Sequence, residues 1–231
     1  MISVCIATYN GADFISDQLL SVLSQVGGAD EIIISDNLSS DSTLEVIRSI
    51  GDSRIHIFSE SKKGVVCNFQ NALAHASGDF IFLADQDDVW LPGKVEKVIQ
   101  SLKNSDLVLH DANVVDANLN LIAHSLFSIH KSSPGLIKNW YKNSYVGCCM
   151  AFRRQVLDAA LPIPDSVAMH DWWIGLVAES RFRVEFINEP LIQYRRHLSN
   201  ASETSGQSKS TFMQKIGWRA SIAYNLLKLQ F

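Results

Sequence analysis

Four short apolar runs, at residues 2–7, 31–35, 54–58 and 80–84, alternate with polar clusters and amphipathic stretches. Each run is rich in branched and aromatic residues and ends in Gly, Asn, Asp or Ser, so each reads as a strand, too short for a helix. Between them, Phe14, Leu19, Val22, Leu23 and Val26 fall close to helical spacing, as do Leu44, Val46, Ile47 and Ile50, and then Phe69, Leu73 and Ala76. Asp41 or Ser42 stands where the second of these helices needs a cap. This alternation over the first ~110 residues predicts an α/β fold, a doubly wound and mainly parallel sheet flanked by helices.

After Pro92, the spacing of Val95, Val98, Ile99 and Leu102 predicts a half-buried helix, and residues 107–111 predict a fifth strand. The pattern then weakens to about residue 131. An extended segment at 145–152, a short helix at 154–160, an apolar helix beginning near His170 and two strands at 184–188 and 191–194 follow. Residues 199–210, rich in Ser, Gly and Thr, read as a linker or mobile loop. Beyond them Phe212, Met213, Ile216, Ala220, Ala223, Tyr224 and Leu227 share one broad face of a C-terminal amphipathic helix, with Trp218, Ile222 and Leu229 beside it. That face is too apolar for a solvated helix, so it is expected to pack on the rest of the chain, on a second copy in a homo-oligomer, or on the inner face of a membrane.

Composition narrows the class. A chain of 231 residues, 47% of them hydrophobic, forms a sizeable core. The net charge of −4 comes without basic blocks, which sets nucleic-acid binding aside. Cys5, Cys67, Cys148 and Cys149 show no C-x-x-C spacing, and an adjacent pair suits neither a zinc site nor a disulfide framework, so reduced, mostly buried thiols are expected. The N-terminal run lacks a basic flank, and no run approaches the ~20 apolar residues of a membrane span, so a cytoplasmic location is expected.

The candidate chemistry lies where strands end. The run at 80–84 empties into Asp85-Gln86-Asp87-Asp88. Acids packed this closely repel one another unless a cation or a proton holds them together, and this edge of a parallel sheet is where ligands bind. A divalent ion such as Mg²⁺ or Mn²⁺ takes carboxylate oxygens and keeps positions open for substrate phosphates. A solvated acidic turn is the alternative. Asp36 and Thr8-Tyr9-Asn10 end two other strands and should meet the acids in one crevice. There Asp36 either accepts from the imide of a base or interacts with the dipole of the following helix.

Together, Thr8-Tyr9-Asn10, Asp36 with Ser39-Ser40-Asp41, Asn68 and Asn71 after Gly64, Gly78-Asp79 and Asp85-Gln86-Asp87-Asp88 resemble family-2 nucleotide-sugar glycosyltransferases of the GT-A fold. Asp-Gln-Asp-Asp-Val-Trp, His170-Asp171-Trp172-Trp173 and Tyr194-Arg195-Arg196-His197 are similar to the rhamnosyltransferase-like branch that builds bacterial surface polysaccharide such as O-antigen. The resemblance covers about residues 1 to 200. It implies an inverting, metal-dependent transfer of a sugar, best guessed as L-rhamnose from dTDP-rhamnose, to a glycan or lipid-linked acceptor. UDP-hexose or UDP-N-acetylhexosamine donors, or a non-catalytic sugar-nucleotide module, are the alternatives. It also implies a donor half at 1–110, an acceptor and catalytic-base half at 111–200, and a linker with a helix at 201–231.

By carry-over, Thr8, Tyr9, Asn10, Asp36 and Asn68 hold the nucleoside side of the donor. Asp85 serves the ribose or the metal shell, and Asp87 with Asp88 serves the metal, Mn²⁺ or Mg²⁺. Asn37 departs from the second acid often found after Asp36. Gln86 is bulkier than the small residue of many relatives, and Gly147 with Cys148 resembles the stretch lining the sugar pocket. Asp171, alone before two tryptophans whose bulk raises its pKa, is the expected base for the acceptor hydroxyl, and His170-Asp171 is otherwise a helix cap. Trp172 and Trp173 either stack on the acceptor sugar or fill the core. His197 suits a borderline ion such as Mn²⁺, and Arg195 suits donor phosphates.

Overall fold

The computed structural model describes residues 1–197 and 211–229. Strands β1 (Ile2–Thr8), β2 (Glu31–Asp36), β3 (Ile55–Ser59) and β4 (Phe80–Asp85) are linked by helices α1 (Ile15–Leu23), α2 (Thr43–Ile50) and α3 (Val65–His75). Val4, Cys5 and Ile6 are all fully buried although successive side chains point to opposite faces, as a sheet covered on both sides requires. β1 pairs in parallel with both β2 and β4, and β2 with β3. The chain steps outward from β1 to β3, and α3 then carries it back across to β4. Right-handed crossovers therefore place α3 on the face opposite α1 and α2. The winding reverses between β1 and β4, where Ala7 lies level with Asp85, and a crevice opens beyond their C-terminal ends.

The second half extends the same sheet. It contains β5 (Val89–Trp90), α4 (Lys94–Ser101), β6 (Leu107–Val115), β7 (Leu121–Ala123), α5 (Leu126–His130) and α6 (Leu136–Tyr141). A 3₁₀ turn (Gly147–Cys149), β8 (Met150–Arg153), α7 (Arg154–Ala160), α8 (His170–Arg181), β9 (Val184–Arg195) and α9 (Phe212–Lys228) complete it. The strand order is β3-β2-β1-β4-β8-β6-β9-β5, with β7 beside β6. β8 is antiparallel to both β4 and β6, so β6 and β9 run with the first four strands and the sheet stays mainly parallel.

Three expectations are refined. The extended segment at 145–152 contains the 3₁₀ turn before β8. The two late strands are one, β9, whose register against β6 slips on both sides of Asp111, where it meets Pro190. Proline has no N–H to offer a ladder, which is why the sequence reads as two pieces. The weak stretch after residue 111 is the rest of β6 followed by β7, α5 and α6, elements of three to six residues that are too short to show a period.

α9 packs on α6 and α8. Ile222 is fully buried there, Trp218 and Leu229 lie against the core, and Trp140 Nε1 donates to Arg219 O at 3.0 Å. The broad apolar face does not make this contact: Met213, Ile216, Tyr224 and Leu227 all remain exposed. The expected linker at 199–210 lies outside the described residues. Among the described residues, no helix is long and apolar enough to cross a membrane.

Candidate active site

A cavity of about 520 Å³ opens over the C-terminal ends of β1 and β4. Thr8 and Tyr9, Asp85 to Asp87, Asn68 and Phe69 of α3, Gly147, and His170 with Asp171 at the start of α8 contribute to its wall. Gln86 joins the two strand ends. Its Oε1 accepts from Thr8 Oγ1 at 2.6 Å and Tyr9 N at 2.9 Å, while its Nε2 donates to Tyr9 O at 3.2 Å. The bulk that sets it apart from many relatives therefore has a use. Gly11 makes room for it, since a Cβ there would stand 2.3 Å from Gln86 Oε1. Asn68 Nδ2 donates to Thr8 O at 3.0 Å, while its buried Oδ1 has no partner among the described residues.

Asp36 and Asn10 build the loop behind this wall and are not part of it. Asp36 Oδ1 accepts from Ser39 Oγ at 2.5 Å and Oδ2 from Ser39 N at 2.9 Å. Asn10, with φ of 48°, accepts from Ser40 N at 2.8 Å. Asn37 donates through Nδ2 to Glu60 O and Lys62 O, at 2.7 and 3.0 Å, and accepts from Gly64 N at 3.0 Å. A carboxylate has no donor for the first two bonds, which explains the departure from a second acid. Asn37 thereby fixes the loop that carries Lys63 to the cavity.

The acids divide into an inner and an outer group. Ligand atoms of Asp85, Asp88 and Cys148 lie within 4.8 Å of one another, whereas Asp87 Oδ2 lies 2.8 Å from His197 Nε2. The His197 ring stacks on Phe14 with centroids 4.5 Å apart. Asp88 Oδ1 accepts from Arg195 N at 2.9 Å, and the Cys148 thiol also hydrogen-bonds this buried carboxyl. Loss of water, and then the charges of Asp87 and Asp171, push Asp85 up to about 7. Asp88 is raised well above the usual carboxylate range by burial, then by Asp87 and Asp85. Fully buried Lys94 stands beneath, its Nζ donating to Cys148 O at 3.1 Å and lying 4.2 Å from the centre of the Trp90 ring. Burial lowers its pKa to about 8. Buried acids crowded closely enough to raise one another's pKa fit a divalent cation.

Asp171 belongs to the same cavity wall as Asp85 and Asp87. Its Oδ1 accepts from Trp172 N at 2.5 Å, and burial pushes it up to about 7 against the hydrogen bonds from Trp172 N and Gly147 N. His170 stacks on Phe69 with centroids 3.9 Å apart, and neither ring nitrogen has a partner among the described residues. Burial lowers its pKa to about 3 and keeps it neutral. A Cβ on Gly147 would stand 2.9 Å from His170 Nε2, so the close approach requires glycine.

Three expected contacts are corrected. Trp172 and Trp173 are core residues, because both are buried and their Nε1 atoms donate to Asn139 O at 2.7 Å and Ala160 O at 2.8 Å. Neither contributes to the cavity wall. Arg195 also lies off the wall: Nη2 is 3.0 Å from Asp17 Oδ2, Nη1 donates to Ala117 O at 3.0 Å, and its guanidinium carbon lies 4.8 Å from the centre of the Phe14 ring. Its backbone N–H seats Asp88 instead. Sequence reasoning passed over Lys63, Tyr145, His170 and Tyr194, all of which reach the cavity. The cue for His170 and Tyr194 was adjacency to Asp171 and Arg195, and Lys63 and Tyr145 carry none.

A doubly wound sheet with acids at its switch point and a lone carboxylate across the cavity is the architecture of the GT-A nucleotide-sugar transferases. Residues 3–161 match Glycosyl transferase family 2, and the chain belongs to that family. It is 30% identical over 224 residues to an uncharacterized glycosyltransferase of Nostoc sp., covering 89% of this chain and 69% of that protein. The UDP-Glc:alpha-D-GlcNAc-diphosphoundecaprenol beta-1,3-glucosyltransferase WfgD of Escherichia coli is 29% identical, covering 90% of this chain and 81% of the relative. The dTDP-rhamnosyl transferase RfbG of Shigella flexneri is 26% identical, covering 84% and 72%. Among solved structures, S. aureus TarS with UDP-GlcNAc superposes with a TM-score of 0.74 at 18% identity over 97% of this chain; the chain spans 66% of that TarS chain. The mannosyltransferase PcManGT from Pyrobaculum calidifontis, with GDP-Man and Mn²⁺, gives 0.62 at 17% identity, covering 98% of this chain and 74% of that one.

Proposed function

We propose that the protein is an inverting glycosyltransferase that moves a sugar from a nucleoside diphosphate to a glycan or lipid-linked glycan in bacterial surface-polysaccharide synthesis. The observation that carries this reading is Asp171, a single carboxylate pushed up to about 7, sharing one cavity with Asp85 and Asp87 of the acidic edge. Thr8, Tyr9, Asn68 and Gln86 shape the nucleoside end of the cavity, and Gly147 lets the His170 ring pack against the backbone at the sugar end. Asp87, Asp88 and His197 would hold the ion, and Asp85 would serve the ribose or the metal shell. A bound Mn²⁺ or Mg²⁺ supplies Lewis-acid stabilisation of the charge on the departing diphosphate, so no general acid is needed.

The acceptor hydroxyl attacks the anomeric carbon opposite the leaving group. Its proton passes to Asp171 as the new glycosidic bond forms and the bond to the diphosphate breaks. One in-line displacement inverts the anomeric configuration, so dTDP-β-L-rhamnose gives an α-rhamnoside. The Asp85-to-Trp90 motif and the likeness to RfbG support a rhamnosyl donor, and the likeness to WfgD supports UDP-glucose as the second reading. Thermal shift against a panel of nucleotide sugars with Mn²⁺ separates them, since a ligand at ~100 times its Kd adds about 2.7 kcal/mol. Product anomeric configuration, read by NMR, tests the mechanism, and retention overturns it.

The exposed stripe on α9, Met213, Ile216, Tyr224 and Leu227, supports docking at the inner face of the membrane beside a lipid-linked acceptor. Flotation with anionic vesicles, with and without residues 211–231, tests this. A truncated chain that floats as well as the full one removes α9 from the account, and dimers in sedimentation assign the stripe to a second copy.

A further inference from the structure

Two segments of this acidic chain are purely basic. Residues 131–146 and 211–231 hold Lys131, Lys138, Lys142, Lys215, Arg219 and Lys228 and no Asp or Glu, in a chain whose net charge is −4. The fold brings the two together. Arg219 Nε donates to Tyr141 O at 2.9 Å, and Trp140 Nε1 returns a bond to Arg219 O at 3.0 Å. Large apolar side chains stand among these charges. Ile137 and Tyr141, one turn apart on α6, are 80% and 69% exposed. Ile216, one turn before Arg219, and Met213, a turn before that, are exposed as well and carry the patch onto α9. Glu179 and Asp165 lie close by, but both are engaged. Glu179 Oε1 accepts from Gly135 N at 2.7 Å and Tyr145 Oη at 2.9 Å, and Asp165 pairs with Lys62 at 2.8 Å.

We propose that α6 and α9 form one composite docking surface for an anionic lipid bilayer, in which α6 is as necessary as α9. The proposal rests on reading the α9 stripe as a membrane contact, and adds to it a second helix and a requirement for negative lipid. Charge selects the occupant. Two-fold pairing with a second copy sets the patch against itself, cation facing cation. An anionic headgroup layer attracts each exposed lysine instead. Tyr141 and Tyr224 each carry a cation over the ring, Arg219 at 5.2 Å and Lys228 at 4.5 Å, and such apolar bodies with polar tips suit the level of the headgroups. The place of α6 gives the contact a use. His130 precedes it and Asn143, Tyr145 and Val146 follow it, and all four line the cavity. An acceptor glycan anchored on a lipid phosphate then approaches Asp171 from the bilayer surface rather than from solution.

Flotation of the full chain with vesicles tests the surface. The wild type should float with phosphatidylcholine vesicles that contain phosphatidylglycerol and stay behind with phosphatidylcholine alone. Lys138→Glu with Lys142→Glu should weaken partitioning about tenfold or more. Ile137→Ser with Tyr141→Ser should weaken it about fivefold or more. These side chains are exposed and the Tyr141 carbonyl that holds Arg219 is kept, so Tm and the calorimetric affinity for UDP or dTDP with Mn²⁺ should stay near wild type. Absence of flotation, flotation indifferent to phosphatidylglycerol, or flotation that survives both α6 pairs overturns the proposal. In the last case, loss of flotation on removing residues 211–231 leaves a contact made by α9 alone. Dimers in sedimentation that Ile137→Ser with Tyr141→Ser dissociates give the patch to a second copy and likewise overturn it. The transferase reading fails separately, if the wild type binds neither UDP nor dTDP with Mn²⁺, whatever floats.

Discussion

The two edges of the same sheet treat their polar groups in opposite ways. At the N-terminal edge Glu31 Oε1 accepts from Ser3 Oγ at 2.5 Å, Ser77 N at 2.7 Å and Ser77 Oγ at 2.9 Å. Arg154 donates to Ala76 O at 2.9 Å and to Gly78 O at 2.5 and 3.0 Å. Gly78 leaves no room for a side chain, because a Cβ would stand 2.8 Å from Met1 O. Burial raises the pKa of Glu31, but the bonds from Ser3 and Ser77 outweigh it and hold the carboxyl below its usual value. At the C-terminal edge Asn68 Oδ1 and both His170 nitrogens have no partner among the described residues, and burial pushes Asp85 and Asp171 up to about 7. The first edge is finished by the protein itself, and the second leaves polar groups open toward the cavity.

The contrast can be broken by single changes. Asp87→Ala should abolish metal-dependent binding of UDP or dTDP by calorimetry while leaving the fold intact; unchanged affinity would sink the metal assignment. Asp171→Asn keeps size and polarity but cannot take a proton, so turnover should fall ~10²-fold or more with donor affinity near wild type. A near-normal rate would move the base elsewhere and leave His170-Asp171 as a helix cap. At the other edge, Arg154→Met strands the Ala76 and Gly78 carbonyls and should cost about 1–3 kcal/mol in urea unfolding. Donor affinity should not change, and a loss of affinity there would show that the two edges are coupled.

The smallest expected effect is a pH slope. Asp85 and Asp171 each have a folded pKa of about 7 against an ordinary value of 3.8, so between these values the folded state holds protons that the unfolded chain has lost. Their contribution is fully present below about pH 4 and is lost as pH rises through about 7, so these groups make the metal-free protein progressively less stable over that window. Asp85→Asn should flatten the fall in Tm, and saturating Mn²⁺ should reverse it at pH 8. The rate should move the other way, rising with pH through about 7 as Asp171 loses its proton and becomes a base.

Local pattern determined much of this. The continuous apolar runs of β1, β2 and β4 can only be strands covered on both faces, and the placing of Asp85 to Asp88 directly after one of them puts the acids at the C-terminal edge of a parallel sheet. The single β9 and the short elements after β6 were not legible, because a proline interrupts one and the others are under two turns long. Whether a polar side chain meets substrate or supports the fold was decided only in three dimensions. Trp172 and Asn139 are 33 residues apart, and Arg195 and Asp17 are 178 apart, so nothing near either residue in the chain reveals that its polar atoms are already engaged. The same holds for Cys148, a buried thiol whose place beside Asp85 and Asp88 only the fold reveals. Sequence carries a residue's chemistry and its local period, whereas the partners that satisfy it, or leave it unsatisfied, are assigned by long-range packing.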